Sequence, residues 1–211
     1  MQPFIYPHQY HYLKSQVYKL IKARVSSTDK NVINAVKGLV EDNITSDFAH
    51  CSAEEQKKFA KAASVKDERE AESYLEDLKT YVIPFNISEK EIKKLFPKVK
   101  KLKIPDLNQF DKRELTYLTW WDAATHRKFI VTRKDGKPYG VEGTFTNSSQ
   151  KGVCSVCNQL APVGLFLVKK KGKEIGTYKK KGNYICAEGD GCNQNITSSK
   201  NLEDFIARLS K

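Results

Sequence analysis

Hydrophobic residues in the first 84 positions recur every three or four residues, with polar residues between them. One series begins after Pro7 and runs through Tyr10, Leu13, Val17 and Leu20, and three more series follow it. This spacing matches the 3.6 residues of an α-helical turn. The pattern predicts a small antiparallel bundle of helices over residues 1–84.

Polar residues between these series mark helix ends. Ser52 followed by Glu55 has the form of a capping box, in which each side chain bonds the backbone of the other residue. We expect the fourth helix to run towards Val82 and to stop before Pro84, because the residue before a proline disfavours helical geometry. A second capping box, Ser88 with Glu91, predicts a short connecting helix.

The spacing of the apolar residues changes in the second half of the chain. Basic and apolar residues partly alternate over residues 98–104, which favours a strand with one wet face. Residues 129–132 and 139–145 flank an Asp-Gly turn, as in a β-hairpin. Two further strands are expected at 163–168 and 175–185, joined through residues 171–173, whereas the aromatic segment around residues 117–121 gives no clear prediction.

The chain ends in an apolar stripe of helical spacing that begins near Ser199. Its members are Leu202, Phe205, Ile206 and Leu209. Helices followed by strands and a last helix predict an α+β protein. The expected division is a helical bundle at 1–84 and, at 85–211, an α/β domain that contains a zinc finger and binds the partner.

Charge divides the chain in the same way. The net charge is +12, but residues 1–90 contain 13 basic and 13 acidic side chains, so residues 91–211 carry the whole excess. A neutral half joined to a strongly basic half indicates two domains, with the surface for an acidic partner in the second.

Four of the five cysteines form two separated pairs. Cys154 and Cys157 are separated by two residues, and Cys186 and Cys192 by five. Two cysteine pairs from different parts of a fold supply the four soft ligands of a tetrahedral zinc ion. We expect residues 187–191 to arch over the metal as a loop, and the order of knuckle, hairpin, second pair and helix is that of a treble-clef finger.

A four-cysteine zinc site is coordinatively closed and therefore structural, because no position remains for a reactive water. Motifs for a phosphate-binding loop, a zinc protease or a nucleophile elbow are absent from the sequence. These features predict a binding protein rather than an enzyme. No membrane-spanning run or signal peptide is found, so we expect a cytoplasmic protein, and nothing in the sequence demands a dimer.

Seven lysines concentrate between the two cysteine pairs, with Tyr178 and Tyr184 among them; they are Lys169, Lys170, Lys171, Lys173, Lys179, Lys180 and Lys181. A basic, aromatic zinc hairpin suits either a phosphate backbone or an acidic protein surface. A solvated lysine-rich strand edge that prevents aggregation is the non-functional alternative. The residues alone do not choose between RNA and protein.

Several segments resemble one known family. They are residues 5–10 (IYPHQY), 101–105 (KLKIP), 127–131 (RKFIV), 151–157 (KGVCSVC) and 181–186 (KGNYIC). Together they resemble the elongation factor G-binding proteins of Gram-positive bacteria, the FusB-type fusidic acid resistance family, over nearly the whole chain.

The resemblance implies a helical N-terminal domain and a treble-clef C-terminal domain that binds elongation factor G. Family members help the factor to leave the ribosome, where fusidic acid traps it, and they do not modify the drug. The protein would contact the ribosome indirectly, through its complex with the factor. A zinc module that binds ribosomal RNA directly is the alternative.

The resemblance also implies contacts with the factor. Lys181 and Tyr184 match a basic and an aromatic contact, with Lys179 and Lys180 as neighbouring cations. Phe205 matches an aromatic contact, although its place in the apolar stripe is equally explained by a core position. Val153 stands where some members carry a larger aromatic residue.

Overall fold

A computed structural model describes residues 2–172, 174 and 177–210. The chain divides into two compact units, Met1–Ile83 and Pro84–Lys211. Each unit has its own buried apolar cluster or clusters. The predicted α+β class is confirmed: helices come first, and an antiparallel sheet follows with further helices around it.

The first unit consists of helices in its described residues. They are α1 (Pro7–Ser26), α2 (Lys30–Asp47), α3 (Ala53–Ala60), a 3-10 turn (Lys61–Ser64) and α4 (Glu68–Lys79). The helical stripe of α1 is buried as its spacing predicts, and it packs with Phe48, Phe59 and Leu78 from later elements. Ser52 caps α3: its hydroxyl accepts from the amide of Glu55, whose carboxylate accepts from the amide of Ser52.

The fourth helix ends earlier than predicted. It stops at Lys79, and Val82 instead forms an isolated parallel bridge with Ile5. The amide of Ile83 donates to the carbonyl of Ile5, and the amide of Ile5 donates to the carbonyl of Tyr81. Ile5 and Val82 are fully buried. The bridge buries both side chains in extended backbone, and this outweighs one more helical turn.

The second unit is built on a five-stranded antiparallel sheet. Its elements are α5 (Glu89–Leu95), a 3-10 turn (Leu107–Gln109), β1 (Leu118–Asp122), β2 (Arg127–Lys134), β3 (Lys137–Val153), β4 (Leu160–Lys171), β5 (Tyr178–Cys186), α6 (Gly189–Gln194) and α7 (Lys200–Ser210). The strands are ordered β1-β2-β3-β4-β5. Asp135 and Gly136 have positive φ angles in the β2–β3 turn, as expected of an Asp-Gly hairpin.

Both faces of the sheet are covered around β2. Ile130 belongs to the cluster that holds the cysteines and the stripe of α7. Its neighbours Phe129 and Val131 belong to a cluster on the other side, which includes Ile92 of α5. Because successive side chains of a strand point to opposite faces, the apolar run at residues 129–131 of β2 joins two cores.

Two local predictions are wrong. Residues 98–104 form turns and irregular backbone instead of a strand. Val99, Leu102 and Ile104 are still half-buried against the α5 side of the sheet, so the alternation reflected which side chains are buried. Pro97 and Pro105, at the two ends of the segment, lack the backbone amides that strand pairing needs. The expected loop at 187–191 is shorter than predicted, because Ala187 and Glu188 form its irregular backbone and α6 already begins at Gly189.

Strands β3 and β4 separate towards one end of the sheet. Pairing of β3 with β4 reaches Thr144 with Leu167, whereas pairing of β4 with β5 continues to Lys171 with Tyr178. The β4–β5 hairpin therefore extends beyond the ladder with β3. The predicted strand start at Ile175 and the predicted connection through Lys173 lie outside the described residues, as does Gly176.

Candidate metal centre and adjoining surface

Three elements bring the four paired cysteines together. Cys154 and Cys157 lie on the knuckle between β3 and β4, Cys186 is the last residue of β5, and Cys192 lies on α6. All four are buried. The knuckle is held to β5 by the amide of Ser155, which donates to the carbonyl of Tyr184 at 2.9 Å. The ladder between β4 and β5 thus sets the distance between the two pairs.

The sulfur positions fit one tetrahedral metal ion. All four Sγ atoms lie within 4.8 Å of one another. Cys154 and Cys192 are 3.8 Å apart, and Cys157 and Cys186 are 3.6 Å apart. A tetrahedron with zinc–sulfur bonds of about 2.3 Å has edges of about 3.8 Å. The donor set and its spacing therefore suit a single zinc ion, with no ligand position left for a substrate.

Backbone amides stabilise negative charge on one sulfur. The amides of Val156 and Cys186 each donate to Sγ of Cys154 at 3.3 Å. Hydrogen bonds from the other three cysteines, first of all Cys157, lower the pKa of the Cys154 thiol. Thiolate is the form that binds zinc, and these hydrogen bonds favour it at Cys154, whereas hydrogen bonds among the thiols raise the pKa of Cys186 and Cys192.

Asn193 fixes α6 against the start of β1. Its Oδ1 atom accepts from the amides of Thr116 and Tyr117 at 2.7 and 3.2 Å. Its Nδ2 atom donates to the carbonyls of Tyr117 and Gly189 at 2.9 and 3.1 Å. The buried amide is fully satisfied and, being adjacent to Cys192, it orients the helix that carries this ligand.

Lys128 brings a positive charge to the metal centre. Its side chain is 1% exposed, and its Nζ atom donates to the carbonyl of Ala187, directly after Cys186, at 2.6 Å. The ammonium also lies 4.5 Å from the ring centre of Phe145. Burial lowers the pKa of Lys128 to about 8, opposed by the negative charges of Glu188 and the nearby cysteines.

The balance of charge explains why a lysine is tolerated there. Zinc with four thiolates carries a net charge of about −2. Within the described part of the chain, no carboxylate forms an ion pair with Lys128. A buried ammonium is costly without a counter-charge, and the zinc–thiolate group supplies one.

Sequence reasoning missed both Lys128 and Asn193. Lys128 lies two residues before Ile130, on the face of β2 that is directed at the metal centre. The available signal was therefore a lysine at an inward position of a strand. Asn193 follows a predicted ligand directly, but most of its hydrogen bonds join positions more than 70 residues apart, which no local pattern shows.

The residues predicted to contact the partner differ in their exposure to solvent. Val153 is 57% exposed and Tyr184 is 46% exposed, both beside the knuckle, and Leu160, paired with Val153, is 69% exposed. Phe205 is 2% exposed, with its ring 6.1 Å from that of Phe166. Phe205 therefore occupies the core, in line with its place in the stripe of α7.

Lys181 and Tyr184 project to opposite faces of β5, since they are three positions apart on the strand. Lys181 pairs with Val168, and Tyr184 pairs with Leu165. Because β5 is the edge strand of the sheet, a partner that approaches over this edge reaches both side chains. Lys179 and Lys180 are exposed further along the same strand.

Comparisons with protein families match both halves of the chain. Residues 4–86 match the model described as elongation factor G-binding protein, N-terminal. Residues 94–209 match the model of an FBP C-terminal treble-clef zinc finger. With the buried four-cysteine cluster, the second match confirms the prediction of one structural zinc ion.

A solved structure agrees with these matches. The chain is 36% identical to the fusidic acid resistance protein FusC, with a TM-score of 0.83, over 97% of this chain and 96% of that one. No curated protein sequence matches the chain significantly. In the part of the chain that the structure describes, every helix is too short or too polar to cross a lipid bilayer.

Proposed function

This chain belongs to the family of elongation factor G-binding proteins, and we propose that it binds elongation factor G and promotes its release from the ribosome, which protects translation from fusidic acid. The observation that carries the proposal is the match of both family models, one after the other, over nearly the whole chain. A solved structure named for fusidic acid resistance, similar from end to end, supports the same function.

We assign partner binding to residues 85–211, at the edge of the sheet beside the zinc knuckle. Val153 and Leu160, at the ends of β3 and β4 that join the knuckle, and Tyr184 on β5 expose apolar surface there. Lys181 adds a half-buried cation on β5. Exposed aromatic and aliphatic side chains with a basic rim suit a protein partner with an acidic surface. Phe205 supports this edge from within the core and makes no direct contact in the proposal.

Zinc would hold the binding edge in one conformation. The metal joins the knuckle, the end of β5 and α6, so the backbone that presents the exposed side chains loses less conformational freedom on binding. The protein then needs only to bind the released form of the factor more tightly than the trapped form to shift the equilibrium towards release. No chemical step on the drug is required.

The proposal places the protein in the cytoplasm, with the ribosomes, and makes it a monomer that contacts the ribosome through the factor. Direct contact with RNA is the alternative, and the lysine-rich end of the β4–β5 hairpin supports it.

The test is a calorimetric titration of the protein with elongation factor G, without ribosomes or RNA. We expect saturable one-to-one binding. Tyr184→Ala should weaken it by about 2 kcal/mol, roughly thirtyfold, if the ring is a central contact, and Lys181→Glu should weaken it through charge reversal. Both variants should also lose the acceleration of factor release from ribosomes that hold fusidic acid.

Lys100→Glu is the matched control, because Lys100 is an exposed lysine of the same unit outside the sheet edge. Its binding should be unchanged. Absence of binding by the unaltered protein at micromolar concentration would refute the proposed function. Binding that survives both edge variants would move the contact surface elsewhere on the protein.

A further inference from the structure

The β4–β5 hairpin ends in a strongly basic projection. We define the basic arm as residues 168–171 and 178–181, the paired positions beyond the last pairing of β4 with β3. Six of its eight residues are lysines: Lys169, Lys170, Lys171, Lys179, Lys180 and Lys181. Glu174 in the connecting turn is the one acidic residue of the sequence between positions 163 and 187.

Lysines face lysines across the arm. Lys169 pairs with Lys180, and Lys170 pairs with Lys179. Like charges at directly opposed strand positions destabilise a hairpin. A fold gains nothing from this arrangement in isolation, so the arm is suited to a polyanion that neutralises the repulsion when it binds.

The positive charge surrounds the arm. Strand alternation puts Lys169, Lys171 and Lys180 on one face and Lys170, Lys179 and Lys181 on the other. A protein interface usually has an apolar centre, and lysine is depleted from it. Charge on both faces of a ribbon instead suits phosphates that approach from more than one direction, as in a folded RNA.

One aromatic ring accompanies the lysines. Tyr178 is 55% exposed, and Nζ of Lys169 lies 3.8 Å from its ring centre. An exposed ring beside a cation is the arrangement on which an unpaired base stacks while the cation contacts a phosphate. A row of lysines that only prevents edge aggregation needs no such ring.

A basic cleft continues from the arm. Where β3 and β4 separate, a cavity of about 550 Å³ is lined by Arg127, Lys169, Lys170 and Lys180, among others. Arg127 also lies 3.6 Å from Glu142, so part of its charge is offset. The three lysines extend the positively charged surface from the arm to the body of the sheet.

We propose that the basic arm binds single-stranded or looped RNA, with its lysines on the phosphates and Tyr178 stacked on a base. RNA binding by the arm uses the lysines of β4 and Tyr178, which lie outside the proposed contact surface for elongation factor G, although Lys181 belongs to both surfaces. It gives the protein an attachment to RNA that does not pass through the factor.

The experiment measures binding of a fluorescent single-stranded RNA of about 12 nucleotides to the full-length, zinc-loaded protein at several salt concentrations. The triple variant Lys169→Ala/Lys170→Ala/Lys171→Ala should bind at least tenfold more weakly. Its slope of log affinity against log salt should fall by about 0.7 for each phosphate that the variant no longer neutralises. Tyr178→Ala should weaken binding about fivefold or more with little change of slope, since stacking is not ionic.

A variant with the same reduction of charge serves as the control. Lys98→Ala/Lys100→Ala/Lys101→Ala removes three exposed lysines of the same unit outside the arm, and it should keep most of the RNA affinity. A polyglutamate peptide of equal charge tests the competing partner class, an acidic protein surface, and should bind more weakly than the RNA.

Equal weakening in both triple variants would show that only net charge matters and would overturn the proposal, as would polyglutamate binding as tight as RNA. Titration of the arm variants with elongation factor G separates the two functions. None of the four substituted residues belongs to the proposed contact set for the factor, so that binding should persist. If the unaltered protein did not bind elongation factor G, the proposed function would be refuted, whereas the result for RNA binding would still hold.

Discussion

At the scale of single residues, Lys128 connects the strand pattern to the metal. It lies on the same strand face as Ile130, where an apolar residue is expected, yet its ammonium reaches the carbonyl that follows Cys186. The four thiolates supply the charge that offsets this buried cation. Part of the zinc affinity should therefore come from a residue that is not a ligand.

Lys128→Met tests this charge balance. Methionine fills a similar volume without the charge, so zinc affinity should fall roughly tenfold, as for other residues that support a metal site from outside the ligand set. Competition with a chromophoric chelator measures the effect. Lys134→Met, at the exposed end of the same strand, should leave the affinity unchanged. Equal zinc affinity in both variants would show that the ammonium does not act on the metal centre.

At the scale of elements, the β4–β5 hairpin connects the zinc ligands to the proposed binding surfaces. Gly182 lies in this hairpin at the base of the basic arm. A Cβ atom at this position would overlap the carbonyl of Phe166 and lie 2.9 Å from Cα of Leu167. The two strands approach so closely there because the residue has no side chain.

Gly182→Ala should force the two strands apart and destabilise the second unit by about 1–3 kcal/mol, as overpacking does in a closely packed core. Thermal or urea unfolding of the zinc-loaded protein measures the change. Gly38→Ala is the control of opposite sign: nothing lies within 4 Å of its added Cβ, and alanine favours the interior of α2 by about 0.5–1 kcal/mol. An unchanged free energy of unfolding in Gly182→Ala would mean that the two strands can move apart at no cost.

At the scale of the whole molecule, the zinc ion belongs to one unit. All four cysteines of the metal centre lie in Pro84–Lys211. The cluster of Met1–Ile83 is built from aliphatic and aromatic side chains of that unit, with Cys51 half-buried beside it. Each unit therefore has its own source of stability, and among the residues that the structure describes the cysteine cluster lies in the second unit.

Chelation of zinc should unfold the second unit and leave the first folded, because metal binding is coupled to folding only where the ligands lie. Hydrogen exchange of the full-length protein, before and after chelation, distinguishes the two regions. Protection should disappear in the strands and be retained in α1 and α4. Simultaneous disappearance of protection in both units would show that they unfold as one.

The sequence by itself determined the elements whose signals are local. The stripe of α1, the capping box at Ser52, the Asp-Gly turn and the pairs around Cys154 and Cys186 each depend on residues a few positions apart. Backbone geometry sets these relations, so the α+β class and the zinc ion were predictable. The resemblance to a known family added the partner, which no residue pattern identified.

The tertiary structure decided everything that depends on contact between distant segments. Residues 98–104 alternate like a strand but pair with no strand in the described part of the chain, and Val82 lies beyond the end of α4, where it pairs with Ile5. Lys128, Asn193 and the burial of Phe205 follow from packing across the second unit. Periodicity reports which side of an element is buried, whereas the neighbour that buries it is chosen by the free energy of the whole fold.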